Sequence, residues 1–240
     1  MSEATREELL QSFYRVRSAL GYLGFSLPFM LILGGVLSHQ GIAPSISDYY
    51  HTVLRDIFVG TMCAIALFLI SYSGHKRTQG EWLTDDLVTT LAGIAAFGVA
   101  LFPNEGPEGV LPSSLPQLAL GRHIASYGHY ISAMAFFLCL AYMCLLKFAK
   151  TAKPKRRRIY KSCGYVILVM TVLILIASFI KIRVIGPSHD FVVNNYIVLW
   201  FEAIAIWAFS IAWLTKGRAE KALANFSSPF RKSPPPAELS

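Results

Sequence analysis

Charged residues are scarce in this 240-residue chain: Asp, Glu, Lys and Arg make up 15% of it, whereas 54% is hydrophobic. Long polar segments are equally few, because the hydrophobic residues fall in blocks instead of being spread along the chain. A water-soluble domain of this length could not bury so much apolar surface. The composition therefore argues against an ordinary soluble enzyme and predicts an all-α, polytopic membrane helix bundle.

Cysteine is rare as well. The four cysteines lie in or beside apolar blocks without a CxxC pair, which favours buried small hydrophobes over disulfides or zinc ligands. The cysteines are Cys63, Cys139, Cys144 and Cys163.

Nucleophile-elbow, phosphate-loop and dinucleotide fingerprints are also missing, so no motif identifies a substrate.

Six apolar blocks approach the roughly 20 residues with which a helix crosses a hydrocarbon core of about 30 Å. We predict a cytoplasmic N-terminal segment (1–18), a six-helix transmembrane domain (19–216) and a flexible cytoplasmic tail (217–240). The first block follows a polar segment, and we expect it to be retained as a span. The blocks are 19–38, 57–73, 87–102, 126–146, 164–180 and 196–214.

Basic residues indicate the orientation, since loops rich in Lys and Arg stay in the cytoplasm. The loop between blocks two and three contains Lys76 and Arg77, and the loop between blocks four and five is more basic still. Both termini are then cytoplasmic, in a bacterial inner membrane. The net charge of +8 is explained by this topology and by anionic lipids, not by nucleic acid. The loop between blocks four and five carries Lys147, Lys150, Lys153, Lys155, Arg156, Arg157, Arg158 and Lys161.

A dense polar stretch precedes the second block. If it is helical, Ser47, His51 and Arg55 share one face and Asp48 lies one turn from His51, where a carboxylate can fix the tautomer of an imidazole. Alternatively, Ser47 or Asp48 caps the helix, and Arg55 forms an interfacial pair with Asp56.

The fourth block begins with two histidines. His129 is placed in the bundle, because small residues follow it, whereas His123 shares a face with Tyr127 and Tyr130 and is expected to meet headgroups. A purely interfacial aromatic belt is the alternative.

Glu202 is the one carboxylate well inside an apolar block. A carboxylate in a span must face a partner, a cavity or water, so it is either functional or a neutral structural acid. Asn195 precedes it by seven residues on the same predicted helix face. On the cytoplasmic side, His75 and the pair Asp85 and Asp86 are interpreted as structural.

The predicted topology brings these polar residues to the outer end of the bundle, where we expect a ligand-binding site. The loop 103–121, which carries Glu105 and Glu108, either covers that end or is a disordered connector. The predicted ligand-binding residues are Ser47, Asp48, His51, Arg55, Asp56, His123, His129, Tyr130, Asn195 and Glu202.

Several short motifs resemble an uncharacterised family of bacterial six-helix membrane proteins, distantly similar to DRAM/Frag-type proteins. The resemblance implies a six-helix bundle in contact with lipid. The motifs are Pro44-Ser45-Ile46-Ser47-Asp48, Phe58-Val59-Gly60, Ala92-Gly93, Ala100-Leu101-Phe102-Pro103, and Ala133 with Phe136-Phe137 on the histidine-bearing helix.

The spacing Ser47-x-x-x-His51 is similar to one element of the alkaline ceramidase, adiponectin-receptor and hemolysin III superfamily. That likeness implies a zinc site made by His51, His129 and either His123 or His189, with Asp48 or Asp56 behind them.

Three functions stay open at this point. The first is binding of a lipid headgroup or small solute, the second is zinc-dependent hydrolysis of lipid amides or esters, and the third is proton-coupled transport through Glu202 and His129. The oligomeric state is not indicated by the sequence.

Overall fold

The computed structural model describes residues 3–72, 83–106 and 114–227, which are mostly helical and contain no β-strand. Every predicted apolar block forms a helix. In chain order the elements are α1 (Glu3–Leu37), a 3-10 helix (Ser47–His51), α2 (Arg55–Ile70), α3 (Asp85–Leu101), α4 (Leu115–Leu120), α5 (Arg122–Tyr142), a π-helix (Met143–Phe148), α6 (Ala149–Thr151), α7 (Pro154–Arg183), α8 (Pro187–Asn194) and α9 (Ile197–Ser227).

Four helical segments of the described chain are long and apolar enough to cross a membrane: Arg17–Leu37, Arg122–Thr151, Pro154–Arg183 and Ile197–Gly217. Helices α2 and α3 have 16 and 17 residues, slightly fewer than a perpendicular crossing requires. The described part of the chain is therefore helical, and several of its helices are apolar enough to lie in a membrane.

Helices α1, α2, α3, α5, α7 and α9 pack in a ring, each against its neighbours in chain order, and α9 closes the ring against α1. Aromatic and aliphatic side chains fill its interior, among them Leu27, Phe58, Phe209 and Trp213. The outer surface carries large apolar side chains, as expected where a bundle faces lipid instead of water. Leu33, Leu67, Ile94, Ile131, Val172 and Phe179 are among these exposed residues.

Small residues let neighbouring helices approach closely, as is typical of membrane bundles. A Cβ on Gly93 would lie 2.7 Å from the carbonyl oxygen of Ala66 across the α2–α3 contact. On Gly98 it would overlap the Ser132 hydroxyl across the α3–α5 contact. Helix α3 is thus held tightly between α2 and α5, and its end is fixed next to the polar end of the bundle.

Helix boundaries follow from local chemistry. Thr84 caps α3 by accepting a hydrogen bond from Leu87 N (3.1 Å), and Asp85 and Asp86 occupy its first turn as predicted. Gly121 (φ 83°) separates α4 from α5, and Gly186 (φ 106°) separates α7 from α8, both in a backbone region that favours glycine.

The predicted domain boundaries fall inside helices. Helix α1 begins at Glu3, within the proposed N-terminal segment, and α9 continues to Ser227, within the proposed tail. The rest of that tail (228–240), and the segment 73–82 that contains His75, Lys76 and Arg77, lie outside the described residues.

Candidate functional site

A buried polar cluster lies at the end of the bundle where α1, α3 and α7 end and α2, α5 and α9 begin. The segment that carries Ser45 and Ser47 packs against the start of α9, where Leu199 N donates to Pro44 O (3.0 Å). This backbone bond brings residues far apart in the sequence into contact with Glu202.

Glu202 anchors the segment through its carboxylate. Oε2 accepts hydrogen bonds from Ser45 Oγ (2.8 Å) and Ile46 N (2.6 Å), and Oε1 lies 3.4 Å from Ser47 Oγ. Glu202 itself is 8% exposed. Because buried polar groups must be hydrogen-bonded, this carboxylate satisfies a backbone N–H that would otherwise have no partner. The intramembrane acid predicted from the sequence therefore has a defined set of protein partners.

His129 is buried on α5, as predicted, at 1% exposure. Its Nδ1 lies 2.8 Å from Phe102 O, and its Nε2 lies 2.9 Å from Ser47 Oγ. A carbonyl oxygen can only accept, so Nδ1 carries the hydrogen and donates it. In the neutral ring, Nε2 then presents a lone pair to the Ser47 hydroxyl. Gly128 permits this arrangement, since a Cβ there would lie 2.8 Å from the Phe102 ring.

A second network joins Asp48 to His51 through Asn104. Asn104 Nδ2 donates to Asp48 Oδ1 (2.6 Å), and His51 Nε2 faces both Asn104 Oδ1 (3.0 Å) and Asn104 O (3.2 Å). The other oxygen of Asp48 forms an ion pair with Lys181 at the end of α7. Burial lowers the pKa of His51 below its usual value, against the opposing effect of its bonds to Asn104. Because both Asn104 atoms that it faces are oxygens, His51 Nε2 is a hydrogen-bond donor.

The polar cluster lines a cavity of about 220 Å³ between α5, α7 and α9. Its lining combines polar side chains, among them Ser47, His129, Glu202 and Lys181, with apolar ones. Two of its apolar lining residues, Leu175 and Phe179 on α7, are also exposed on the outer surface of the bundle. The apolar lining includes Ala133, Met134, Phe137, Ile174, Leu175 and Phe179.

The helix-face prediction for the segment before α2 is wrong, because the 3-10 helix ends at His51 and α2 begins only at Arg55. The capping interpretation of Ser47 and Asp48 is also wrong: Ile46 occupies the N-cap position. Arg55 Nη2 donates to the Tyr50 hydroxyl (2.7 Å), with its guanidinium over the Tyr50 ring.

Three other predicted residues point away from the cluster. Asp56 and His123 are exposed in the first turns of α2 and α5. Asn195 is exposed and donates to Phe191 O (2.8 Å). Asn195 and Glu202 do not share a helix face as predicted, because Tyr196 (φ 53°) interrupts the helix between α8 and α9. Helical periodicity cannot be carried across such a break.

Tyr130 does belong to the site: it lines the cavity and stands edge-on to the His129 ring at 5.7 Å between centroids. The predicted zinc ligands His51, His129 and His123 are not brought together. His123 is exposed, and both ring nitrogens of His129 have protein partners. His189 instead contacts its exposed neighbour Asp190 (3.2 Å). Across the described residues, no three His, Cys, Asp or Glu side chains are grouped to hold a metal ion.

Sequence reasoning missed Ser45, Asn104 and Lys181. Asn104 lies in the loop after α3 that was expected either to cover this end or to be disordered, and the start of that loop does cover the site. Residues 107–113, which include Glu108, are not among those described. Lys181 had a signal in the sequence, as a basic residue at the outer end of a predicted span.

Residues 24–216, which include the site, match a family model described as a protein of unknown function, DUF998. The chain belongs to the DUF998 family. This membership agrees with the expected uncharacterised membrane-protein family, and the match includes Ser47, His129 and Glu202. The likeness to DRAM/Frag-type and hemolysin III-type proteins stays a prediction. No curated protein and no solved structure matches this DUF998 chain.

Proposed function

We propose that this DUF998 protein is a six-span protein of the bacterial inner membrane, with both termini in the cytoplasm, that binds the polar end of an amphiphilic lipid from the outer leaflet. The observation that carries the proposal is the cavity between α5, α7 and α9, which is lined both by the polar cluster and by apolar side chains, two of them exposed on the outer surface of the bundle. An amphiphile combines a polar and an apolar part in one molecule in the same way.

The topology is supported by the ring of six helices together with the positions of the basic residues. Consecutive members of the ring run in opposite directions if each crosses the membrane once. The basic connection between α5 and α7 then lies at the opposite end from the cavity. By the positive-inside rule that end is cytoplasmic, so the cavity lies on the side of the outer leaflet.

Cavity size supports binding of a headgroup region instead of a whole lipid. A volume of about 220 Å³ is smaller than the roughly 300–1,000 Å³ typical of sites that enclose a drug-sized ligand. The acyl chain must therefore lie outside, along the exposed side chains of Leu175 and Phe179.

The charged pairs at the outer end of the cavity favour a neutral or zwitterionic headgroup. Lys181 is already paired with Asp48, and Arg183 Nη2 lies 3.7 Å from Glu105 Oε1. A purely anionic headgroup would have to compete with both carboxylates, whereas a neutral polar headgroup can bind without breaking either pair.

The test is lipid retention by protein purified in mild detergent, measured by native mass spectrometry and lipid extraction. Ala133→Phe fills the cavity, and Ile131→Phe adds the same ring two residues away on the lipid-facing side of α5, where Ile131 is 70% exposed. We expect about one bound lipid per chain in the wild type and in Ile131→Phe, and none in Ala133→Phe. Equal lipid retention in all three proteins would overturn the proposal.

A second candidate, proton-coupled transport, is supported by one observation: Ser47 lies within reach of both Glu202 (3.4 Å) and His129 (2.9 Å), so a hydroxyl connects two titratable groups. Its test is proton uptake into proteoliposomes under an imposed pH gradient. Uptake that disappears in Glu202→Gln would favour transport, and no uptake above that of empty liposomes would remove it.

A further inference from the structure

The contact between Ser47 and His129 has the geometry of a nucleophile and its general base. Ser47 Oγ lies 2.9 Å from His129 Nε2, and the opposite ring nitrogen donates to Phe102 O at 2.8 Å. In serine hydrolases a third group holds the base in the tautomer that accepts the hydroxyl proton. Here a backbone carbonyl takes that position.

We propose that Ser47 and His129 cleave acyl esters, with Ser47 as the nucleophile and His129 as the general base, and that the substrate is a neutral or zwitterionic ester-linked lipid. This activity rests on the lipid-binding function proposed above and assigns a chemical step to the same cavity.

The position of the pair in the cavity fits the position of an ester in a lipid. Ser47 and His129 line the cavity together with Lys181, and apolar side chains, including Ala133, Phe137 and Leu175, line it as well. In an acyl lipid the ester carbonyl stands at the junction of headgroup and chain. A lipid held with its headgroup near Lys181 and its chain along Leu175 therefore presents that carbonyl to Ser47.

Ser47 is held in place by its surroundings. Its backbone N donates to Ser45 Oγ (3.1 Å), and Ser45 in turn donates to Glu202 (2.8 Å). The Ser47 hydroxyl lies closer to His129 (2.9 Å) than to Glu202 (3.4 Å), so its proton is directed to the imidazole. Glu202 is accordingly a positioning residue that fixes the turn, not the base.

The first half of the reaction forms an acyl-enzyme. Ser47 Oγ attacks the ester carbonyl carbon while its proton passes to His129 Nε2, and the carbonyl oxygen becomes an oxyanion. The carbon–oxygen bond to the leaving alcohol then breaks, and His129 returns the proton to that alcohol. The Tyr130 hydroxyl and the Lys181 ammonium line the same cavity, and we assign to them the donation of hydrogen bonds to the oxyanion.

Water completes the cycle. It attacks the acyl-serine carbonyl, gives a proton to His129 Nε2, and displaces Ser47 Oγ, which takes the proton back. The products are one carboxylic acid and one alcohol per ester, and no oxidant or other co-reactant is consumed.

The test uses the full chain in lipid bicelles, with a fluorophosphonate probe for the nucleophile and a fluorescent phosphatidylcholine as the ester. We expect a covalent adduct on Ser47, located by peptide mass spectrometry, and release of acid and alcohol in equal amounts. Ser47→Ala should abolish labelling, and His129→Gln should slow turnover by about 10²–10⁴-fold.

Two further variants separate chemistry from folding. Ser26→Ala removes a hydroxyl that bonds only within α1, at Leu23 O (3.2 Å), and should label and turn over like the wild type. Ser47→Cys keeps a nucleophile next to His129, and it should form a thioester with an activated ester where Ser47→Ala does not.

Failure of this inference is distinguishable from failure of lipid binding. A wild-type protein that retains lipid but neither labels nor releases acid overturns the esterase and leaves the binding function. A protein that neither retains lipid nor turns over ester overturns both. Labelling at a serine other than Ser47 also overturns the assignment.

Discussion

Replacing Glu202 by leucine should destabilise the protein by about 2–4 kcal/mol. The carboxylate accepts from Ser45 Oγ and from Ile46 N, and its other oxygen lies 3.4 Å from Ser47 Oγ. A buried donor left without an acceptor costs about 1–3 kcal/mol. Ser47 keeps His129 as a partner, so the cost comes mainly from the Ile46 N–H and the Ser45 hydroxyl.

The comparison variant is Glu202→Gln, whose amide oxygen can still accept from Ile46 and Ser45, and we expect it to lose less than about 1 kcal/mol. Ser210→Ala is a control on the same helix, because its hydroxyl bonds only to Ile206 O (2.8 Å). Stability is measured by reversible unfolding in mixed micelles of mild detergent and SDS. If Glu202→Leu unfolds within about 0.5 kcal/mol of Glu202→Gln, the carboxylate does not hold the segment 44–47, and the reasoning about the site fails.

Three other perturbations test separate parts of the structure. Gly98→Ala should destabilise the α3–α5 contact by about 1–3 kcal/mol, and Ser132→Gly in the same chain should restore most of the loss, as measured by a double-mutant cycle. Because burial lowers the pKa of His51, the folded protein binds fewer protons than the unfolded chain. Stability should therefore fall as the pH drops below the ordinary value of 6.5, and His51→Gln should weaken this dependence in pH-resolved unfolding; an unchanged pH profile would contradict the burial argument. Finally, the effects of Lys181→Met and Asp48→Asn on the free energy of unfolding should not add in a double-mutant cycle: the double variant should lose about 1–2 kcal/mol less than the sum of the two single losses. Additive effects would mean that the ion pair is solvated and weak.

Much of the fold was predictable from residue type alone. Each apolar block became a helix, because a bilayer leaves a backbone no partner for its hydrogen bonds except itself. Glu202 and His129 were identified as interior polar residues for the same reason, since burying them in hydrocarbon without partners is too unfavourable. Element ends were less exact: α7 begins at Pro154, well before the apolar block at 164.

The partners of these residues were not predictable. Helical spacing placed Ser47, His51 and Arg55 on one face, but a change from 3-10 to α-helix between them removed the shared face. Spacing likewise paired Asn195 with Glu202, and the break at Tyr196 separated them. Periodicity holds only within one continuous helix, and a single left-handed residue resets it.

Residue types alone establish that this chain is a membrane helix bundle with a few polar side chains that need partners inside it. Hydrophobicity decides this, because it is a property of each residue and adds along the chain. The contacts of Ser47 with His129 and Glu202, which lie 82 and 155 positions away in the chain, follow instead from the packing of the helices. Those contacts depend on which helices are neighbours in the ring and on the backbone path of the segment before α2. Local sequence patterns predict neither of these.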